Sequence, residues 1–242
     1  MRWGFVIDLE ACIGCRTCMV SCKLHNSEPP GTWWNRVFTP GSKFHQTGVG
    51  EYPHVEMNFL PVHCQMCENA PCEKVCPVGA TYYDENRVVL IDFNRCIGCR
   101  YCIMACPYGV RQFNWEDAKH AKEKMDYAKG YEYGWPEEYR GKDNRLVYTP
   151  DRPRGVVEKC TFCIQYINEG EPPACVRSCP GKARHIGDLD DPNSLVSRLI
   201  RERPAFRLLE ELGTKPKVYY LPPAGSRAEV ISKRLGIKTE VS

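Results

Sequence analysis

The sequence predicts an α+β fold of two small cysteine-rich modules, one inserted in the other, with long loops and a C-terminal extension. Three observations lead to this prediction. The sixteen cysteines sort into four groups of four with none left over. Residues 6–23 and 90–107 are identical at nine of eighteen positions without a gap, and residues 69–80 resemble residues 172–183. Two kinds of segment that each occur twice indicate a duplicated module.

The four groups have short gaps between successive cysteines. In the first group, successive cysteines are separated by two, two and three residues: Cys12, Cys15, Cys18 and Cys22. The third group has the same gaps: Cys96, Cys99, Cys102 and Cys106. The gaps are two, four and three in the second group, Cys64, Cys67, Cys72 and Cys76. They are two, eleven and three in the fourth group, Cys160, Cys163, Cys175 and Cys179. A proline follows the last cysteine of groups two, three and four.

The run C-x2-C-x2-C-x3-C-P is the iron–sulfur ligand signature of two-cluster ferredoxins. Three cysteines on a tight loop reach three irons of one cube, and the fourth points away and ligates the neighbouring cluster. Gly14 and Gly98, in the first gap of their groups, let the backbone curl close to a sulfide. The sequence therefore predicts two ferredoxin-like dicluster modules with four [4Fe–4S] clusters, and all sixteen cysteines as metal ligands.

Crossed ligation requires the groups to work in pairs. Groups two and three are close in sequence, and residues 80–94 between them read as strand, turn and strand. This pair predicts one cluster on Cys64, Cys67, Cys72 and Cys106, and another on Cys96, Cys99, Cys102 and Cys76. Groups one and four pair by elimination, which predicts a third cluster on Cys12, Cys15, Cys18 and Cys179, and a fourth on Cys160, Cys163, Cys175 and Cys22.

The pairing also predicts the domain boundaries. These are an outer dicluster module of residues 1–22 with 155–190, a connector of residues 23–61, an inner dicluster module of residues 62–107, an insertion of residues 108–154, and a C-terminal extension of residues 191–242. The connector and the insertion have two open interpretations. They cover the clusters and fill gaps, or they dock partner subunits through aromatic side chains such as Trp33 and Trp34.

Three further elements are predicted outside the cysteine groups. Residues 192–204 predict a short helix capped by Asn193 or Ser194, with an apolar stripe of Leu195, Leu199 and Ile200 packed on the core. Residues 217–223 predict a strand and then an extended tail. Residues 116–135 begin with helical character, which Gly134, Trp135 and Pro136 break.

Composition and motifs exclude several other classes of protein. The mean hydropathy is −0.46, and there is no apolar run near the ~18 residues of a membrane span. The N-terminus runs straight into the first cysteine group, so we expect no export signal or anchor of the chain's own. A disulfide scaffold is disfavoured, because such scaffolds are usually small and secreted. A structural zinc protein is disfavoured as well, because zinc sites usually take two cysteine pairs set well apart. No nucleophile–base constellation is present, so no catalytic residue is predicted, and none of the six histidines is expected to bind metal.

The net charge of +3 counts the cysteines as neutral. Four clusters with their thiolates add roughly −8, which leaves the loaded chain near −5. The excess of lysine and arginine therefore compensates for buried cluster charge. Because the basic residues form no long run, nucleic acid is not an expected partner.

The cysteine motifs resemble those of the four-cluster iron–sulfur subunits of molybdopterin oxidoreductases of the DMSO reductase type. The resemblance covers roughly residues 4–190 and rests on VIDLEACIGCRTC, CQMCENAPCEKVCPVGA, NRCIGCRYCIMACPYGVR, EKCTFC and the run from Cys175 to Ala183. The chain is also similar to the small subunits of polysulfide, thiosulfate, tetrathionate and arsenate reductases. One departure is that Lys23 stands where a proline would follow Cys22, and its charge is expected to raise the potential of the adjacent cluster.

The resemblance implies a non-catalytic subunit that transfers electrons and is attached to a large subunit with a molybdenum or tungsten bis-pterin cofactor. It also implies an integral membrane subunit that exchanges electrons with quinone. The chain would then lie at the periphery of the plasma membrane, outside the cytoplasm by co-export with a twin-arginine-bearing partner, or alternatively on the cytoplasmic face. The alternative function is a free soluble polyferredoxin, which the long aromatic connectors disfavour because a carrier needs only small contacts.

Overall fold

A computed structural model describes residues 1–40, 47–116, 138–150 and 153–223, as a mixture of short strands and helices. The strands are β1 (Trp3–Asp8), β2 (Arg36–Phe38), β3 (Val49–Glu51), β4 (His54–Glu56), β5 (Leu60–Val62), β6 (Thr81–Tyr83), β7 (Val89–Ile91), β8 (Gln112–Phe113), β9 (Tyr139–Arg140), β10 (Leu146–Tyr148), β11 (Val157–Glu158), β12 (Arg184–Asp188) and β13 (Val218–Leu221). The helices are α1 (Thr17–His25), α2 (Pro71–Lys74), α3 (Tyr101–Met104), α4 (Ile164–Asn168), α5 (Ala174–Arg177) and α6 (Leu195–Glu202), with a 3₁₀ helix at Glu210–Leu212.

The largest sheet has three strands in the order β12-β1-β13. Strand β1 lies in the middle, antiparallel to β12 and parallel to β13, with Ile7 opposite Arg184 on one side and Tyr220 on the other. Its residues Phe5, Val6 and Ile7 are fully buried, as expected for a continuous apolar run in a central strand. This sheet places the strand that precedes the first cysteine group beside the strand that follows the fourth.

The predicted hairpin between the second and third cysteine groups is confirmed. Strands β6 and β7 pair antiparallel, with Thr81 opposite Ile91 and Tyr83 opposite Val89. The carboxylate of Asp84 closes the turn because it accepts hydrogen bonds from the backbone N–H of Asn86 at 3.0 Å and of Val88 at 2.7 Å. The hairpin therefore repeats the relation of β12 to β1, because in both pairs one strand follows a cysteine group and its partner precedes another.

The helix and the strand expected near the C-terminus are present, with one correction. Ser194 caps α6 by accepting a hydrogen bond from the backbone N–H of Ser197 at 3.2 Å, and β13 falls within the predicted strand. Leu195 was expected in the buried stripe but is 45% exposed, because the helix turns Val196 inward instead. Val196 packs with Val6 and Leu221, and Leu199 and Ile200 lie against that cluster as expected.

The connector buries one of its two adjacent tryptophans. Trp34 is 1% exposed, and its indole N–H donates to the carboxylate of Glu158 at 3.2 Å, while Trp33 is half-buried beneath the ammonium of Lys23. At this position the connector fills the core. The predicted helical segment at residues 116–135 and the tail after residue 223 lie almost entirely outside the described residues. Within the described ranges, every helix is too short or too polar to cross a bilayer.

Candidate iron–sulfur cluster sites

The cysteines line four cavities, called A to D below, and each cavity gathers three cysteines from one group and one from another. The cysteines are Cys12, Cys15, Cys18 and Cys179 in cavity A, Cys22, Cys160, Cys163 and Cys175 in cavity B, Cys64, Cys67, Cys72 and Cys106 in cavity C, and Cys76, Cys96, Cys99 and Cys102 in cavity D. The space between the lining residues, including the part open to solvent, is about 290 to 350 Å³ in each cavity. None of the sixteen cysteines forms a disulfide bond.

The repeated sequence is also a repeated backbone path. Gly14 and Gly98 both have a φ of 68°, and the arginines two residues later, Arg16 and Arg100, are left-handed as well, at 61° and 62°. These backbone conformations fold each loop around its cavity. Each loop ends at its left-handed arginine, directly before α1 or α3 begins. An ideal Cβ on Gly98 would lie 2.0 Å from the carbonyl oxygen of Gly155, so only glycine fits there.

The cavities differ in their exposure to solvent. Cavities A and D each have one exposed cysteine, Cys15 and Cys99 respectively. All four cysteines of cavity B are buried, and so are three of the four in cavity C. Cavities A and D therefore reach the surface, whereas B and C lie inside.

Several of these thiols are difficult to ionise. Burial first, and then the charge of a neighbouring cysteine, raise the pKa of Cys67 and of Cys163 to about 12. A thiolate is the form that binds metal, so these sites need a strong positive charge before the sulfur can lose its proton. Iron supplies such a charge, which fits a cluster as the group that occupies the cavities.

Backbone donors point at the last cysteine of groups two and four. The N–H of Ala80 lies 3.2 Å from Cys76 Sγ, and the N–H of Ala183 lies 3.3 Å from Cys179 Sγ. Burial raises the pKa of Cys76, but backbone hydrogen bonds from Thr81 and Ala80 outweigh it, and the pKa lies below its ordinary value. Such donors stabilise a thiolate and raise the reduction potential of a cluster bound to it.

The helix after the first group is longer than its counterpart, and this places an amide that sequence reasoning missed. Helix α3 ends before Pro107, whereas Lys23 carries a backbone N–H and lets α1 continue to His25. The next residue, Asn26, is fully buried, and its amide nitrogen lies 3.6 Å from Cys22 Sγ and 3.8 Å from Cys163 Sγ. The replacement of proline by Lys23 was the signal for this donor.

Two buried arginines were also missed, although the sequence carries a sign of them. Arg111 and Arg184 each stand five residues after the last cysteine of their group, in CPYGVR and CPGKAR. Arg111 donates to Cys72 Sγ at 3.0 Å, whereas the three buried guanidinium nitrogens of Arg184 have only the Cys175 thiol as a neighbouring acceptor among the described residues and make no hydrogen bond of good geometry to it. A guanidinium of this kind, which lines both cavity A and cavity B, requires an acceptor inside them. An anionic iron–sulfur cluster, with its sulfides, fits that requirement.

The cysteines surround volumes and do not converge on points. Over the described ranges, no three His, Cys, Asp or Glu side chains come together as they would around a single metal ion. A cube with a ligand at each iron needs four sulfurs set apart around a space, as found in cavities A to D. His63 lines cavity B, where it is buried between Phe5 and Phe162 with its Nδ1 3.0 Å from the carbonyl oxygen of Cys64.

Comparison with known families gives two matches of the same kind. A family model of the 4Fe-4S dicluster domain matches residues 55–136 and 146–189, and a second 4Fe-4S dicluster model matches residues 11–80. Together the two models cover all four cysteine groups. The chain thus carries two 4Fe-4S dicluster domains, and their ligands provide for four [4Fe–4S] clusters.

Similar proteins are named as subunits of several different reductases. The chain is 44% identical to one of the subunits of selenate reductase of Mesobacillus selenatarsenatis, over 91% of this chain and 72% of the relative. It is 38% identical to the arsenate respiratory reductase iron–sulfur subunit of a Shewanella species, over 93% and 98% of the two chains. It is also 38% identical to the iron–sulfur cluster-binding subunit of menaquinone reductase of Nitratidesulfovibrio vulgaris, over 98% and 92%.

Proposed function

Because this chain belongs to the 4Fe-4S dicluster family, we propose that it is the electron-transfer subunit of a molybdopterin oxidoreductase complex. It carries four [4Fe–4S] clusters and relays electrons between other subunits of a respiratory reductase. The observation that carries this proposal is the set of four cavities, each lined by four cysteines. No substrate bond is made or broken in this chain, and its residues bind the clusters, set their charge environment and exclude water.

The cysteines that line each cavity are the proposed ligands of one cluster. Each cluster, when bound, supplies a one-electron acceptor and donor. In this assignment the last cysteine of each group ligates the cluster of the partner group. Cys179 joins the first group and Cys22 the fourth, and Cys106 joins the second group and Cys76 the third. The pairing of β1 with β12 and of β6 with β7 supports an outer module into which the inner one is inserted.

Neighbouring cavities give a continuous route through the protein. Arg184 lines both A and B. Burial raises the pKa of the Cys160 thiol in cavity B most, followed by the charge of Cys163 and then by that of Cys64, which lines the neighbouring cavity C. Arg111 lines cavity C and donates a hydrogen bond to the hydroxyl of Thr81, which lines cavity D. Electrons therefore enter and leave at A and D, where Cys15 and Cys99 are exposed.

The proposed partners follow from the relatives and from the two exposed ends. One partner is a large catalytic subunit with a molybdenum or tungsten bis-pterin cofactor. The other is an integral membrane subunit that exchanges electrons with quinone, in keeping with a relative named for menaquinone reduction. The chain would lie at the periphery of the plasma membrane, outside the cytoplasm after co-export with the catalytic subunit. The reaction of the complex would be the reduction or oxidation of a sulfur compound, arsenate or a similar oxyanion.

Paired cysteine variants test the function and the ligand sets together. The native complex, purified without oxygen, should hold sixteen irons per chain and show four reducible clusters by electron paramagnetic resonance (EPR). Cys12→Ser and Cys179→Ser should change the same EPR signal, and Cys160→Ser and Cys22→Ser should share a different one. If Cys22→Ser instead changes the signal that Cys12→Ser changes, each loop ligates its own cluster and the crossed assignment is wrong. A chain that elutes alone near 27.7 kDa with all its iron would be a free polyferredoxin.

A further inference from the structure

Three cationic side chains are buried where neighbouring cavities meet. Arg184 is 3% exposed, Lys159 is 2% exposed and Arg111 is 4% exposed. Buried lysine and arginine are rare unless an anion pairs with them. The contacts of these three in the described part of the chain are to thiols, carbonyls, a hydroxyl and a thioether, and none is to a carboxylate.

Arg184 stands between cavities A and B. It lines both of them, and its guanidinium lies over the ring of Phe5, 5.7 Å from the ring centre. Burial raises the pKa of Cys175 in cavity B, and the charge of Arg184 opposes that rise. The charge of Arg184 also bears on Cys12 in cavity A. One guanidinium therefore acts on cysteines of two cavities.

Arg111 lines cavity C and is hydrogen-bonded to a residue that lines cavity D. One of its terminal nitrogens donates to Cys72 Sγ of cavity C at 3.0 Å, and the other donates to the hydroxyl of Thr81, which lines cavity D, at 3.1 Å. Burial raises the pKa of Cys102 in cavity D, and the charge of Arg111 opposes it.

Lys159 lines neither cavity B nor cavity C but contacts a lining residue of each. Its ammonium donates to the carbonyl of Cys160, which lines B, at 2.8 Å, and to the carbonyl of Val89, which lines C. It also lies 3.8 Å from Met66 Sδ. Among the causes that act on Cys72 in cavity C, burial raises the pKa and the charges of Arg111 and Lys159 lower it.

We propose that Arg184, Lys159 and Arg111 are positioning cations that alternate with the four clusters and raise the reduction potentials of the two clusters on either side of each. This inference rests on the proposed function. A cluster with four thiolates carries about −2 when oxidised and gains one more negative charge on reduction. A fixed positive charge next to it favours the reduced state, and it weakens the repulsion between two neighbouring clusters that each hold an electron. Arginine keeps its proton throughout, so the electron that leaves one cluster and enters the next needs no proton transfer from it.

The arrangement predicts which clusters respond to each substitution. Arg184→Met should lower the potentials of clusters A and B, Lys159→Met those of B and C, and Arg111→Met those of C and D. We expect the equilibrium constant for reduction of each adjacent cluster to fall at least tenfold, which is 59 mV for a one-electron couple. The charge is kept in the variants Arg184→Lys, Arg111→Lys and Lys159→Arg. Their equilibrium constants for reduction of the adjacent clusters should therefore stay within about threefold of the wild-type values.

The measurement is an EPR-monitored redox titration of the whole complex, with iron content determined for every sample. The EPR signals are assigned beforehand from the paired cysteine variants. The matched control is Lys74→Met, because Lys74 stands in the sequence between Cys72 of cavity C and Cys76 of cavity D but is exposed, so solvent screens its charge and the equilibrium constants for cluster reduction should change less than threefold.

Each outcome bears on the proposal in a defined way. Shifts confined to the two adjacent clusters support it, and so does loss of iron at those two sites in a methionine variant when the charge-preserving variant keeps all sixteen irons. Equal shifts of all four clusters, or a charge-preserving variant that shifts as far as its methionine counterpart, overturn it. A wild-type complex without four reducible clusters would overturn the proposed function instead, which keeps the two failures distinguishable.

Discussion

Gly98 is the position at which one added methyl group should damage a cluster site most. Its φ of 68° costs alanine about 1–2 kcal/mol, since this is the left-handed region. The new Cβ would also lie 2.0 Å from the carbonyl oxygen of Gly155. The segment that carries this carbonyl is held on both sides, because the N–H of Gly155 donates to the carbonyl of Asn114 at 2.8 Å and the carbonyl of Val156 accepts from the N–H of Asn114 at 2.9 Å. Overpacking against a fixed group adds about 1–3 kcal/mol, so Gly98→Ala should lose about 2–5 kcal/mol.

Two other glycines separate the backbone cost from the collision. Gly79 has a φ of 61° with nothing within 4 Å of a new Cβ, so Gly79→Ala carries the conformational cost alone. Gly14 has the φ of Gly98, but its Cβ would meet the ring of Phe59 at 2.3 Å, and a side chain can turn aside. The expected order of destabilisation is Gly98→Ala, then Gly14→Ala, then Gly79→Ala.

The assay is urea unfolding under anaerobic conditions, together with the EPR signal of cluster D. With a urea slope near 3 kcal/mol per molar, a loss of about 3 kcal/mol lowers the unfolding midpoint by about 1 M. Gly98→Ala should also weaken the signal of cluster D while leaving that of cluster A intact. If Gly98→Ala and Gly79→Ala have equal midpoints and full cluster D signals, the close approach of Gly155 does not constrain this loop and the reasoning fails.

Two smaller perturbations probe the C-terminal part of the described chain. Ser194→Ala removes the cap of α6 and should cost about 1 kcal/mol in urea unfolding with no loss of iron, so a fall in iron content would contradict a purely local role. Burial lowers the pKa of Lys217 to about 8, whereas an unfolded lysine has a pKa of about 10.4. The unfolded chain therefore binds more protons between these two values, so the contribution of Lys217 to stability rises with pH across that window. Lys217→Met should flatten the pH dependence of the urea midpoint between about pH 8 and 10, and an unchanged slope would show that Lys217 does not titrate there.

The cysteine spacing predicted four cluster sites, and in the structure the sixteen cysteines line four cavities. Spacing constrains ligand loops strongly, because three thiols on a short loop can reach only one small volume. The hairpin of β6 and β7 followed from its turn residues, and α6 from its cap and apolar period. The exposed Leu195 shows the limit of that reasoning, since an error of one residue in helical phase exchanges an exposed side chain for a buried one.

The buried charges could not be predicted in the same way. Lys23 and Lys159 each stand next to a cysteine in the sequence, at Cys22 and Cys160. The ammonium of Lys23 is bound by the carbonyls of Pro29 and Thr32 in the connector, whereas that of Lys159 lies between two cavities. Which of the two points toward a cluster depends on how distant segments pack, and no local pattern records it. For Arg111 and Arg184 the equal spacing from their cysteine groups was a readable signal.

The four sites also differ in how far apart their cysteines lie along the chain. The chain between the first and last cysteine runs from residue 64 to 106 in cavity C and from residue 76 to 102 in cavity D. It runs from residue 12 to 179 in cavity A and from residue 22 to 175 in cavity B. A loop about four times longer costs roughly 1.2 kcal/mol more to close, since each doubling adds about 0.6 kcal/mol. Burial of Phe5, Val6 and Ile7 between β12 and β13 opposes that cost, because each fully buried apolar side chain contributes about 1.5–3 kcal/mol. The three-stranded sheet is therefore what allows cysteines from opposite ends of the chain to meet in cavities A and B.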